Sequence, residues 1–372
     1  MEPIRVGIIG QGRSGRDIHG VYLATDARYR IVAVADALAD RRERAVREYG
    51  CAAHAEAAEL LARKDIDLVV NSSFSHQHVP LTLAAFKAGH HVLCEKPLAP
   101  TAKDVDRMIA AARKAGKVLA VFQQSRYAPY FVEIQRVIAS GVLGHIVQIS
   151  VAFNGFGRRW DWQTLQEFKG GNLLNTGPHP LDQALTLFGE GEPEVWCRMD
   201  RTEEGTWGDA ENHVKLILTG KGHPTIDIEV SSCCSYSPPL YRVYGTRGGL
   251  QATADSVEWR WFDPAVAPSQ RLIREPLAQP DGTPAYCGEK LPWQTGKWPE
   301  AQAAGATAAG YTPSAPLASM SAALYGMLFR TLREGAPLEI TPEQVRRQIA
   351  VIEACQRQNS GIYSSAKGKK TS

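Results

Sequence analysis

Residues 4–15 read "IRVGIIGQGRSG", a short apolar, β-branched run that ends at Gly10 and continues through Gly12 and Gly15. A strand that runs into G-x-G-x-x-G and opens a helix is the context in which this spacing binds a dinucleotide. Gly10 would make the tight turn, and Gly12 would let the backbone approach a pyrophosphate. Gly15 would let helix and strand pack closely, with the diphosphate at the helix N-terminus. Gln11, Arg13 and Ser14 complete this loop and are assigned with the glycines to cofactor binding. The next strand, "RIVAVAD", ends in Asp36, about 20 residues on, where a carboxylate suits a ribose 2′-hydroxyl. A 2′-phosphate would meet like charge there, so NAD is expected over NADP, although Arg41 and Arg42 lie close by in sequence.

Working outward, strand and helix signals alternate to about residue 124. "IDLVVNSS", "HHVLCEKP" and "KVLAVFQ" read as further strands, with "ADRRERAVREYG", "HVPLTLAAFKAG" and "TAKDVDRMIAAARKAG" as helices between them. Such alternation with short connections predicts a parallel sheet covered by helices, a doubly wound Rossmann domain over 1–124. Beyond it, "HIVQISVAF", "EVWCRMD", "HVKLILTG", "TIDIEVSSCC", "LYRVYGTRGGLQAT" and "SVEWRWFD" predict a second, α+β domain over 125–363 with a mostly antiparallel sheet. Residues 263–316 carry no clear periodicity and are expected as a long irregular insertion: a lid, a subunit arm or a surface loop. Helix 341–358 should start at Thr341 as N-cap with Pro342 behind it, and 364–372 should be a flexible tail.

Composition narrows the class. The chain has 372 residues, 44% hydrophobic and 22% charged, with net charge +3, which suits two globular domains and gives no reason to expect nucleic acid or a membrane as partner. Seven cysteines without a CxxC point to free thiols in a reducing compartment, and no window is apolar enough to span a bilayer. A cytoplasmic location is the expectation.

The chemistry rests on two segments. "CEKPL" places Lys96 at a strand's C-terminal edge, facing the crevice where α/β folds bind ligands. In "GGNLLNTGPHPLD", residues 170–182, His179 stands between two prolines that stiffen the backbone. An isolated histidine is by default a satisfied core residue. A metal site is disfavoured, because His76, His78, His90 and His91 lack a carboxylate or cysteine set at ligand spacing.

With "GQGRSG", Asp36, "SSFSHQH", "AGHHVLCEKPLA", "RYAP", "GGNLLNTGPHPLD" and the helix beginning "TPEQ", the chain resembles the Gfo/Idh/MocA oxidoreductases over nearly its whole length. The resemblance implies a Rossmann domain followed by an α+β domain whose open sheet face makes subunit contacts, in a homodimer or homotetramer. It implies Lys96 at substrate and nicotinamide, His179 as acid/base, Asp182 closing the motif and Glu95 near the cofactor ribose. Ser73, Ser75 and His78 fall on the cofactor-side loop, where Phe74 replaces the usual proline. Asn175 stands where many sugar-alcohol dehydrogenases of the family carry aspartate. Asparagine does not stabilise an imidazolium as aspartate would, so its part is to orient the ring or bind a hydroxyl.

Gln124 and Arg126 close the fifth expected strand near the cleft. "FNGFGRRWDWQTLQEF", residues 153–168, concentrates Arg158, Arg159, Trp160, Asp161 and Trp162, polar and aromatic groups suited to a sugar ring. The expected substrate is a sugar, cyclitol or glycoside with a secondary hydroxyl. The alternatives are a redox-neutral glycosidase or lyase using tightly held NAD, with Asp161 or Glu167 as second base, and a non-catalytic NAD sensor.

Overall fold

The computed structural model of the chain describes residues 2–299 and 316–364. The first sheet contains β1 Ile4–Ile9, β2 Tyr29–Ala35, β3 Ala52–His54, β4 Leu68–Asn71, β5 His91–Cys94 and β6 Leu119–Val121. All pairs are parallel, in the order β3-β2-β1-β4-β5-β6. Every residue of β4 is buried, and only Arg5 of β1 is exposed, because helices cover both faces. The chain leaves β1 to one side and returns at β4 on the other, so a crevice opens at the carboxyl ends of this adjacent pair. β3 has no sequence signal: its three residues, Ala-Ala-His, contain no β-branched side chain.

The helices expected between these strands form where the caps dictate. Ala39–Tyr49 stops at Gly50 and Ala102–Ala115 at Gly116, each glycine left-handed at φ 62°. Thr101 accepts the Asp104 N–H and starts the second of them.

The second sheet runs β14-β13-β12-β11-β7-β10-β9-β8. Its strands are β7 Ile146–Asn154, β8 Glu194–Asp200, β9 His213–Thr219, β10 Thr225–Ser231, β11 Tyr241–Gly245, β12 Gly248–Ala252, β13 Val257–Trp261 and β14 Gln294–Trp298. Only β7 and β10 pair in parallel. The period-two alternation of β9 and β10 buries Val214, Leu216, Leu218, Ile226, Ile228 and Val230 on one face. The other face carries Lys215 between Asp227 and Glu229 at 2.6 and 3.2 Å.

β14 corrects the expectation of an irregular stretch over 263–316. Gln294–Trp298 pairs with β13, and Gly296 leaves room for the Trp259 indole, which a Cβ would meet at 2.2 Å. The remainder up to 293 is largely irregular, and residues 300–315 and the tail 365–372 lie outside the described residues.

The chain then returns to the first domain. In helix Pro316–Glu334, Leu324, Tyr325, Met327 and Leu328 are buried in one core with Ile4, Val6 and Ile8, and Tyr325 stacks on Tyr22 at 5.0 Å. Helix Pro342–Gln358 begins with the expected Thr341 cap, completed by Gln344 as a capping box. It ties the halves together: Glu353 accepts the Ala102 N–H, and Gln358 accepts that of Cys197 in β8. A boundary at residue 124 therefore separates the sheets but not the packing. All seven cysteines are free, and no helix among the described residues is long and apolar enough to cross a membrane.

Candidate active site

The glycine loop has the shape its spacing demands. Gly10 sits at φ 89°, and a Cβ there would lie 2.5 Å from the Ser72 carbonyl oxygen; one at Gly15 would lie 1.8 Å from that of Gly10. Over Gly12, by contrast, only Arg41 comes near, at 3.5 Å. No side chain caps the helix Arg13–Gly20 at Gly12, so its first N–H groups are left for a ligand. Asp36 is positioned by the Gln11 and Leu38 N–H groups at 2.7 and 2.9 Å, with Arg41 at 3.5 Å. Arg42 is occupied with the carbonyls of Asp36 and Ala37. Gln11 Oε1 and Gln124 Oε1 are buried without a partner. These features fit a dinucleotide: an open backbone cradle, a carboxylate beside it, and amide oxygens waiting for donors.

Lys96 follows β5 and donates to the Asn175 carbonyl oxygen at 2.7 Å. That carbonyl is available for a local reason. The residue three on is Pro178, which has no N–H, and the His179 N–H four on turns back to Thr176 at 3.1 Å. Burial lowers the Lys96 pKa, as do the charges of Arg13 and Arg159, while Glu95 opposes them. Lys96 thus feels the charge of Arg13 in the glycine loop and of Arg159 in the 153–168 segment.

His179 lies in the first turn of a helix. Pro178, His179 and Pro180 are the first three residues of helix Pro178–Phe188, where missing N–H groups cost nothing. Its Nδ1 meets Ser125 Oγ at 3.0 Å, leaving Nε2 as the nitrogen available to a substrate. Gln183 fixes the Ser125 carbonyl at 2.6 Å, and Gln348 of the C-terminal helix fixes that of Pro178 at 2.5 Å. Burial, with Lys96 nearby, pushes the imidazole down to about 3, so the ring is neutral. A helix N-terminus disfavours imidazolium in the same direction.

Several sequence-assigned residues have partners inside the protein. Glu95 is buried; its Oε1 lies 3.1 Å from His19 Nε2 and its Oε2 accepts the Lys96 N–H. Burial works to raise this carboxyl, but His19 and Lys96 hold it down at about 2. His78 is 1% exposed, with its ring between the carbonyls of Pro97 (2.7 Å) and Ser73 (3.2 Å), so it braces the cofactor-side loop from behind. Ser73 bonds Asn71, while Ser75 opens the short turn that follows. Arg126, expected at the substrate, is spent on Asp182 at 2.5 and 2.9 Å and on Gln344. Burial raises the Asp182 carboxyl, against the pull of Arg126.

The 153–168 cluster divides in two. Arg159 bonds Asp161 and Gln163, and Gln163 Oε1 also accepts from Asn175 Nδ2 at 3.2 Å, so this side faces the motif. Trp162 packs edge-on against Phe74 at 5.2 Å, joining the cofactor-side loop to the second domain. Arg158 and Trp160 line a surface concavity with Trp207. Ser125, His19, Gln163 and Gln348 went unread because no spacing marks them; their contacts span 12 to 306 positions in sequence.

Fold and glycine loop together define a two-domain, dinucleotide-binding protein. Residues 4–123 match the oxidoreductase family with an NAD-binding Rossmann fold, and 131–251 match the GFO/IDH/MocA C-terminal domain. The chain is 36% identical over 192 residues to D-glucoside 3-dehydrogenase of Escherichia coli strain K12, covering 50% of this chain and 54% of that one. It is 31% identical over 250 residues to inositol 2-dehydrogenase of Salmonella typhimurium strain LT2, covering 66% and 72%. An NAD-binding protein from Listeria innocua shares the fold with TM-score 0.78 at 23% identity, over 96% of this chain and 97% of that one. The chain belongs to the Gfo/Idh/MocA family of NAD-binding oxidoreductases.

Proposed function

We propose that the protein oxidises a secondary hydroxyl of a sugar, cyclitol or glycoside, or reduces the corresponding ketone, with His179 as acid/base and Lys96 as electrostatic partner. The observation that carries this reading is His179 held at Nδ1 by Ser125 at 3.0 Å, with Lys96 anchored on the Asn175 carbonyl four residues before it. Bound NAD supplies the hydride acceptor. The chain's own residues supply the rest: His179 Nε2 takes the hydroxyl proton, and Lys96 stabilises the developing alkoxide. The Asn175 carbonyl aims Lys96, and Ser125 aims the ring. Names of relatives that act on D-glucosides and inositol support a polyhydroxylated substrate. Exposed Trp196 and Tyr244 on the open face of the second sheet fit assembly into a dimer or tetramer.

Ser125→Ala leaves the ring free to rotate. The loss of one buried hydrogen bond predicts a fall in kcat of about tenfold with little change in KM, read from steady-state kinetics. Asp36→Ser removes the carboxylate and weakens NAD binding by about tenfold or more while NADP binding improves, read by titrating both cofactors.

The reading as a whole is tested at 340 nm with a panel of sugars, cyclitols and glycosides plus NAD. Steady NADH formation with one class, lost in His179→Ala, supports it. Glycoside cleavage without net NADH overturns it in favour of the redox-neutral reaction, for which Asp161, already held by Arg159, is a poor second base. Cofactor binding with no turnover of any of the panel favours the sensor.

A further inference from the structure

The parallel sheet has a second charged edge, at the amino ends of its strands and away from the glycine loop. A cavity of about 250 Å³ opens there, lined among others by Arg5, Lys64, Asp67, His91, Lys117 and Arg333. These residues come from β1, the turn before β4, the start of β5, the turn before β6 and the end of helix Pro316–Glu334. Four cations meet one carboxylate, and that carboxylate is already committed. Asp67 accepts from Arg5 Nη2 and Nε at 2.8 and 3.2 Å, and from Arg333 at 3.4 Å. Asp65, which also acts on Arg5, is paired with Arg63 at 2.6 Å. Lys64 and Lys117 have no ion pair among the described residues.

His91 adds a neutral donor. Its Nδ1 accepts the Val118 N–H at 3.0 Å, so that nitrogen carries the lone pair and the ring proton sits on Nε2. Burial, with Lys117 and Arg333, pushes the ring down to about 4, against the pull of Asp67. Two unpaired ammonium groups, a ring N–H and two guanidiniums that still have free N–H groups therefore surround one small concavity. A carboxylate offers two oxygens to such a set, whereas a phosphate group offers three or more and a second charge.

We propose that this cavity binds a small phosphate monoester. The phosphate bridges Lys64, Lys117 and His91 Nε2–H, with Arg333 and Arg5 at its edge. The volume of about 250 Å³ suits a phosphate with a short carbon chain.

The test follows His91 by NMR in ¹⁵N-histidine-labelled protein, assigned with His91→Gln, as inorganic phosphate or glycerol 3-phosphate is titrated against sodium chloride of equal ionic strength. A dianion bound at Nε2 should raise the His91 pKa by about one to three units. Lys64→Ala/Lys117→Ala, which removes no pairing the fold uses, should keep its melting temperature in chloride and weaken both ligands at least tenfold. An unmoved His91, or an equal response in the double variant, means adventitious anion binding only and overturns the proposal. Phosphate binding without glycerol 3-phosphate binding overturns the monoester assignment.

Discussion

His179→Asn lowers kcat by about 10²- to 10⁴-fold, the range lost when a positioned acid/base is removed. Asparagine nearly fills the ring's volume and still reaches Ser125 but accepts no proton, so substrate and NAD binding should change little. Stopped-flow or steady-state traces at 340 nm separate these effects, and an unchanged kcat would remove His179 from the chemistry. The same variant has a second signature. Folded His179 titrates near 3, whereas an unfolded histidine titrates near its ordinary 6.5. The unfolded chain thus binds the extra proton between those values. Stability contributed by the neutral ring is complete above pH 6.5 and is lost as pH falls toward 3. Acid unfolding of His179→Asn should be shallower across that window.

Lys96→Met should cost about 10²- to 10³-fold in kcat/KM, because the alkoxide then develops beside an apolar side chain. The substitution also strands the Asn175 carbonyl, whose partner is the Lys96 ammonium at 2.7 Å. KM should therefore rise as kcat falls, unlike the His179 variant. Lys96→Arg is not a rescue, since a planar guanidinium does not reproduce a point charge on that carbonyl. The double variant should lose much less than the product of the single losses if the two groups act on one transition state. Multiplicative losses would mean that they act independently.

What was legible in the sequence follows from local physics. Gly10 and Gly15 could be read because a Cβ at either position collides with the chain itself, and Asp36 because the strand that ends there is short and apolar. Gly50, Gly116 and Thr341 cap helices within a turn of themselves. The joint presence of Lys96 and His179 was legible through family resemblance rather than periodicity. β3 escaped because alanine has no strand signature, and β14 because its pairing depends on a glycine making room for an indole on another strand.

The sequence by itself determined the two-sheet architecture and the dinucleotide loop, since each depends on backbone periodicity or on neighbours a few residues away, and it pointed to the candidate pair Lys96 and His179 only through family resemblance. Only the tertiary structure decided which side chains are free to act. Arg126, Glu95 and His78 have the right chemistry for ligands, yet each is committed to a partner inside the protein. Ser125, unmarked in the sequence, is carried to His179 Nδ1 from 54 positions away. A charged group's role depends on whether its hydrogen-bonding capacity is already satisfied, and that is settled by long-range packing.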